Sequence, residues 1–123
     1  PQGWAVKRAD MTATEPLAMP FPDLLRSIDV VLTKPGYGTF AEAACNGAAV
    51  LYLRRDNWPE QDCLIEWLHA NARCLEIEEG DLASSRMPEL LDALWRAPAP
   101  PVPIASGAAQ AADLIVERLA SMS

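Results

Sequence analysis

The chain has 123 residues, of which 50% are hydrophobic and 22% charged, a composition typical of one globular domain that buries a core without disulfides. The formal net charge of −7 argues against a nucleic-acid surface, which needs clustered Lys and Arg. Three Cys without a CxxC spacing and a single His argue against structural zinc and favour a reducing cytoplasm. No apolar run reaches the roughly 20 residues of a membrane span. Because the first residue is Pro1 rather than Met, we expect a fragment of a longer protein.

The hydrophobic pattern alternates between strands and helices along the chain. Short apolar runs predict strands at 29–33, 49–53 and 73–77, with a further strand at 4–8. Helices are predicted at 21–28, 39–46, 59–71, 82–95 and 108–120, with Gly47 as the C-cap of the second. Repeated strand–helix–strand units favour a parallel sheet. We therefore expect a single α/β domain over 1–123 with a Rossmann-like three-layer α/β/α architecture.

Apolar side chains at helical spacing predict which helix faces lie in the core. The predicted stripes are Cys63, Leu64, Trp67 and Leu68, then Leu90, Leu91, Leu94 and Trp95, and finally Ala112, Ile115, Val116 and Leu119. His69 falls off its stripe and is predicted to be solvated, and the three Cys are predicted to pack rather than react. Four Pro within 97–103 predict a stiff spacer, although the PxxP spacing also fits an SH3-type groove. The acidic stretch 76–81 predicts a solvated loop rather than a metal site.

A Gly-rich turn follows the first main strand. It places Lys34, Gly36, Gly38 and Thr39 between a strand end and a helix start. A helix N-terminus offers unpaired N–H groups and about half a positive charge, and glycine lets a ligand approach the backbone. Lys34 can add a positive charge and Thr39 a hydroxyl, so the turn predicts a phosphate site. The alternative is a tight turn that only lets the helix pack.

Glu42 follows Thr39 by three residues, and this spacing supports two interpretations equally. In the first, Thr39 and Glu42 form a capping box and bind no ligand. In the second, the Glu42 carboxylate accepts hydrogen bonds from a vicinal diol such as a ribose. The local pattern leaves both open.

A dinucleotide site is a rival interpretation of the same turn. Residues 36–41 match the GxGxxA form of the dinucleotide fingerprint, and Asp56 lies about where its ribose-binding acid is expected. Against it, Pro35 stiffens the approach to the turn, and the Arg pair at 54–55 favours a 2′-phosphate over a free ribose. The fingerprint is weak by itself.

An acid and an amide, Glu60 and Gln61, open the helix after the second main strand. Loops that follow neighbouring parallel strands leave the sheet at the same edge, so we expect this pair to converge with Gly38 and Glu42. Together they can hydrogen-bond sugar hydroxyls, and Trp58 beside them can stack on a sugar ring. The alternative is that acids are simply favoured in the first turn of a helix.

Residues 34–42, which read KPGYGTFAE, together with the helix-ending Gly47 and the Glu60–Gln61 pair, resemble the donor-binding half of the two-domain GT-B glycosyltransferases. The chain is most similar to the branch related to the bacterial peptidoglycan-precursor N-acetylglucosaminyltransferase. The KPGYG stretch is closer still to a glycosyltransferase-like segment attached to some sugar kinases. The resemblance spans roughly residues 21–119.

The resemblance implies one half of a GT-B fold and a role for each motif residue. Lys34, Gly36, Gly38 and Thr39 would hold the diphosphate of a nucleotide sugar, UDP-linked in the first instance, Glu42 would bind the ribose, and Glu60 and Gln61 would contact the donor sugar. Lys34 stands where many relatives have His, and the segment from Glu42 to Glu60 is two residues longer than the common spacing. The base would bind near 4–11. No resident cofactor or metal is implied.

The resemblance also implies that an absent N-terminal domain supplies the acceptor site and any catalytic base. We therefore expect the chain to bind a nucleotide sugar weakly, to turn nothing over alone, and to self-associate through an exposed interdomain face. Two alternatives remain open. One is a non-catalytic nucleotide-sugar-binding or regulatory module, and the other is a sugar-nucleotide epimerase or hydrolase on the same fold.

Overall fold

The computed structural model describes residues 5–123, and its centre is a three-stranded parallel sheet. The strands are β1 (Val30–Thr33), β2 (Ala49–Tyr52) and β3 (Cys74–Glu76), in the spatial order β1-β2-β3. In the register of the first ladder, Val31 lies opposite Val50. The α/β class and the parallel sheet that the sequence predicts are confirmed.

Helices flank the sheet on both sides. They are α1 (Phe21–Arg26), α2 (Tyr37–Cys45), α3 (Gln61–Asn71), α4 (Glu79–Leu82), α5 (Met87–Arg96) and α6 (Gly107–Ser121), preceded by a 3₁₀ helix at Glu15–Leu17. Within residues 5–123, no helix combines the length and the apolarity that crossing a bilayer requires.

Two hydrophobic clusters cover the two faces of β2. Val50 and Tyr52 point into a cluster with side chains from α1, α2 and α3, among them Phe40. Ala49 and Leu51 point into the opposite cluster, which is built mainly from α5. All four residues of β2 are buried, as expected for a parallel strand between helices. The chain therefore has three layers, with α1 to α3 on one face of the sheet and α5 on the other.

The helix predicted over 82–95 is confirmed from Met87 onward and wrong over 83–86, where a turn separates two helices. Helix α4 ends at Leu82, and α5 begins at Met87 with Pro88 in its first turn, where a missing N–H costs nothing. Asp81 organises the intervening turn: its buried carboxylate accepts hydrogen bonds from the Glu78 N–H at 2.9 Å and from Arg86 Nη1 at 3.0 Å.

The predicted core stripe of α3 is also partly wrong. Gln61, Leu64, Ile65 and Leu68 are buried, whereas Cys63 is exposed and Trp67 is 37% exposed. The helix is therefore rotated so that Ile65 replaces Cys63 and Trp67 in the core. In α5, Leu94 is fully buried, Leu90 and Leu91 are partly buried, and Trp95 is 44% exposed with the Arg73 guanidinium 5.3 Å from its ring centre.

The two ends of the chain contribute little to these clusters. Of the predicted strand at 4–8, Trp4 lies outside the described residues, and residues 5–8 form neither helix nor strand. The spacer at 97–103 has no regular structure and passes close to Gly47 through Val102. Helix α6 forms as predicted, but its apolar stripe is exposed, with Ile115 at 60% and Leu119 at 61%.

Candidate functional site

The loops that follow β1 and β2 meet at one edge of the sheet. The Tyr37 hydroxyl, at the start of α2, donates a hydrogen bond of 2.8 Å to the Glu60 carboxylate, at the start of α3. In the same region, Arg55 Nε donates to the Pro35 carbonyl oxygen at 2.7 Å. The two βα turns that the sequence singled out are therefore adjacent, as parallel neighbouring strands require.

Helix α2 begins with an open N-terminus. Its N-cap is Gly36, whose carbonyl accepts the first helical hydrogen bond from the Phe40 N–H at 3.0 Å. Within residues 5–123, the N–H groups of Tyr37, Gly38 and Thr39 have no acceptor. The helix starts two residues earlier than predicted, because glycine rather than threonine occupies the cap. Three backbone donors therefore point out of the first turn with the positive end of the helix dipole behind them.

The glycines of this turn are not required by the protein itself. Gly36 has φ of −165°, an extended conformation open to any residue, and a Cβ there would meet only the Lys34 carbonyl at 4.0 Å. A Cβ on Gly38 would meet no atom within 4 Å. Neither the backbone conformation nor a clash of an added Cβ therefore requires glycine at these two positions.

Lys34 precedes this N-terminus in the chain, Thr39 lies in the first turn of α2, and Glu42 lies in the second turn. Lys34 is exposed, and Thr39 is the third residue of the helix rather than its cap. A capping box from Thr39 to Glu42 is therefore wrong, because Gly36 holds the cap position and no side chain of the described residues caps the helix. The partly buried Glu42 lines a groove of about 590 Å³ between the α1, α2 and α3 side and the segment 103–108.

Glu60 and Gln61 take two different roles in the structure. Glu60 is exposed, and its hydrogen bond from the Tyr37 hydroxyl is the main cause of a raised pKa of that phenol. Gln61 is buried, and its amide pairs twice with one residue: Oε1 accepts from the Arg55 N–H and Nε2 donates to the Arg55 carbonyl, each at 2.8 Å. Gln61 thus fixes the backbone of its own loop, whereas Glu60 faces the neighbouring loop.

Sequence reasoning missed a cluster formed by Tyr37, Arg55 and Trp58. The Tyr37 and Trp58 rings meet edge to face with centroids 5.9 Å apart, and the Arg55 guanidinium lies 5.2 Å from the Trp58 ring centre. The signal was present, since an aromatic residue inside the first turn and an Arg pair after the second strand share one sheet edge. Which Arg faces the turn could not be read from the sequence.

Asp56, the acid of the rival dinucleotide interpretation, lies in an exposed turn beyond the end of β2. The next residue, Asn57, has φ of 53°, a left-handed conformation that asparagine tolerates in turns. The side chains from the β2–α3 loop that lie next to the turn around Gly36 and Gly38 are instead those of Arg55, Trp58 and Glu60.

The remaining candidates for reactive side chains are the cysteines and the histidine. Burial raises the pKa of Cys74 to about 11, so this thiol is protonated at neutral pH, whereas Cys63 is exposed rather than packed. His69 is exposed, as predicted, and its Nε2 lies 3.0 Å from the hydroxyl of the buried Tyr52. In the described part of the chain, no group of three His, Cys, Asp or Glu side chains could hold a metal ion.

Comparisons with models of protein families, with curated proteins and with solved structures found no match to this chain. Because one fold hosts many functions, the α/β architecture alone assigns none. What bears on function is the edge of the sheet, with its open helix N-terminus, two unexplained glycines and an adjoining cluster of aromatic and charged side chains.

Proposed function

We propose that this chain is the donor-binding half of a glycosyltransferase that uses a nucleoside-diphosphate sugar. The observation that carries the proposal is the pair Gly36 and Gly38, for which the protein has neither a conformational nor a packing need. Glycine leaves the backbone accessible, and the free donors behind it suit an anion that approaches closely. Lys34 adds a cation on the same turn, and Thr39 a hydroxyl.

Helix geometry supports a role for Glu42 in binding the ribose. Gly38 and Glu42 are four residues apart and share one face of α2. Thr39 and Glu42 are separated by about 4.5 Å along the helix axis at about 1.5 Å per residue. A diphosphate at the first turn would then present its ribose one turn further along, beside a carboxylate that no capping interaction occupies.

Glu60 borders the same edge and is the group best placed to contact the donor sugar. It already accepts a hydrogen bond from Tyr37, which leaves the second carboxylate oxygen for a sugar hydroxyl. Gln61 is better explained as a residue that stabilises the β2–α3 loop, because its amide oxygen and nitrogen both pair with the Arg55 backbone. The sugar contacts implied by the resemblance are therefore reduced to Glu60.

In this proposal the chain stabilises the leaving nucleoside diphosphate and leaves the remaining chemistry to another domain. Backbone N–H groups and a cation placed around the diphosphate favour the charge that develops on it as the glycosidic bond breaks. The acceptor and any catalytic base belong to an N-terminal domain, and the whole would act in the cytoplasm without a resident cofactor. Sugar transfer by the chain alone would contradict this division.

Isothermal titration of the chain with UDP, GDP and dTDP tests the proposal, and Gly38→Ala is the decisive variant. We expect at least one nucleotide to bind and Gly38→Ala to weaken it about tenfold or more, because a methyl group would separate the ligand from the backbone donors. The same change should leave the free energy of unfolding unchanged or raise it by up to about 1 kcal/mol, since alanine is the better helix former.

Gly80→Ala is the matched control. Gly80 is also the second residue of a helix, and a Cβ there would likewise meet no atom within 4 Å, but α4 lies outside the site. It should leave nucleotide affinity unchanged. Equal affinities of Gly38→Ala and the parent chain, or no binding of any of the three nucleotides, would overturn the proposal.

A further inference from the structure

The two adjacent arginines of the β2–α3 loop have opposite surroundings. Arg54 forms ion pairs with Asp62 and with Glu76, so its charge is matched. Arg55 forms no ion pair within residues 5–123, and its guanidinium donates only through Nε, to the Pro35 carbonyl. Its two terminal nitrogens therefore donate to no acceptor among the described residues.

Arg55 is nevertheless held in place from three sides. The Gln61 amide fixes its backbone N–H and carbonyl, the Pro35 carbonyl holds Nε, and the Trp58 ring lies under the guanidinium. An exposed arginine normally loses much side-chain entropy when it binds a ligand, and this anchoring has already removed part of that cost. Since Pro35 directly precedes the N-cap of α2, its hydrogen bond holds Arg55 Nε beside the turn that opens this helix.

Binding a ligand with more than one negative charge at this edge needs more than one cation. The carboxylates of Glu42 and Glu60 would repel a phosphate group. The positive charge of the exposed Lys34, in the β1–α2 loop, offsets part of this repulsion. A second cation from the β2–α3 side would offset the added charge of a diphosphate. A guanidinium suits this task, because its planar fork can donate two parallel hydrogen bonds to phosphate oxygens.

We propose that Arg55 binds the second phosphate of the nucleotide and that Gln61 is a positioning residue for Arg55 rather than a ligand of the donor sugar. The inference rests on the proposed function, since it assigns selectivity within the same site. It makes Arg55 the residue that distinguishes a nucleoside diphosphate from a monophosphate. It also gives the buried amide of Gln61 an indirect effect on affinity.

The test compares Arg55→Gln with Arg54→Gln, two variants that each remove one positive charge from neighbouring positions. Both are titrated with UDP and UMP, GDP and GMP, and dTDP and dTMP. We expect Arg55→Gln to weaken the diphosphate about tenfold or more and to leave the monophosphate within about threefold of the parent chain. Arg54→Gln should change neither by more than about threefold, because its partners are Asp62 and Glu76.

Gln61→Ala tests the positioning role with a different readout. It should weaken the binding of UDP and of UDP-N-acetylglucosamine by the same factor. In the double variant it should add little to the effect of Arg55→Gln, because both changes remove the same positioned guanidinium. A direct sugar contact would instead weaken the nucleotide sugar more than UDP. Thermal unfolding of each variant verifies that the fold is intact, and if Gln61→Ala does not fold, the two arginine variants still decide.

The outcomes separate this inference from the proposal beneath it. If the parent chain binds none of the nucleotides, the proposed function fails and the inference fails with it. If the parent chain binds a diphosphate and the two arginine variants weaken it equally, the proposed function stands and the role of Arg55 is overturned. Selective loss of the diphosphate in Arg55→Gln supports both.

Discussion

The two ends of helix α2 are built in opposite ways. At the C-terminal end, the Asn46 side chain donates to the Glu42 carbonyl at 2.8 Å, the Gly47 N–H donates to the Ala44 carbonyl, and the Ala48 N–H donates to the Ala43 carbonyl. At the N-terminal end, three N–H groups have no acceptor within residues 5–123. Within the described residues, the protein supplies hydrogen-bond partners at the C-terminal end of α2 and none for the first-turn N–H groups at the other end.

The glycines at these ends differ in the same sense. Gly47 has φ of +74°, a conformation that side chains rarely adopt, and a Cβ there would lie 3.7 Å from Val102. Gly36 and Gly38 face no such demand. A glycine that closes a helix and a glycine that opens a surface look alike in the sequence, and only the backbone angle and the surrounding space distinguish them.

The largest effect should follow from releasing α2 from the core. Phe40 is fully buried, and Phe40→Ala should lower the free energy of unfolding by about 3–5 kcal/mol, measured by urea denaturation. Because Phe40 anchors the first half of α2, nucleotide affinity should fall as well. Leu94→Ala, in the cluster on the opposite face, should also lose stability but retain nucleotide affinity where it is folded. Equal loss of affinity in both would show that the open end needs only overall stability.

A smaller effect separates the two kinds of glycine. Gly47→Ala should lower the free energy of unfolding by about 1–2 kcal/mol, because alanine at this positive φ is strained. Thermal and urea unfolding beside Gly38→Ala measure the contrast, since the latter should not destabilise the chain. If Gly38→Ala were the more destabilising of the two, the comparison between the ends of α2 would be wrong.

The smallest effect concerns the link between the two loops and depends on pH. The hydrogen bond to Glu60 raises the pKa of Tyr37, so the bond contributes to stability below the ordinary value of about 10 and is lost as pH rises through the higher folded value. Glu60→Gln should move the tyrosinate absorbance transition of Tyr37 downward. Burial raises the pKa of Tyr52, the other tyrosine, far above the ordinary value, so Tyr52 should not ionise in the pH range of the Tyr37 transition. An unchanged Tyr37 transition would contradict the link.

Most of the fold could be predicted from the sequence because buried parallel strands leave continuous apolar runs. The strands predicted at 29–33, 49–53 and 73–77 contain the observed strands with at most one extra residue at either end. Helix starts were harder to predict: a Gly cap such as Gly36 carries no side-chain signal, and Pro88 was placed inside a helix that it in fact opens. Both boundaries follow from the residue at the helix start, a Gly in the cap position and a Pro in the first turn.

The candidate site could be predicted only where its residues are neighbours in the sequence. The turn around Gly36 and Gly38 was recognisable, whereas the contacts of Arg55 depend on side-chain direction across about twenty positions. One signal for Gln61 existed, because 61, 64, 65 and 68 form the buried face at helical spacing. The burial of Gln61 was nevertheless not predictable, because a polar side chain is buried only when it has hydrogen-bond partners, and these were not known from the sequence.

The place of Trp58 has a practical consequence. Its indole packs at about a right angle to the Tyr37 ring and lies beneath the Arg55 guanidinium, so residues from both loops adjoin one chromophore. Any molecule that displaces the cation or the phenol alters the electric field around the indole and therefore its fluorescence. The chain thus carries an optical reporter at the sheet edge, and Trp58→Phe would identify its share of the emission.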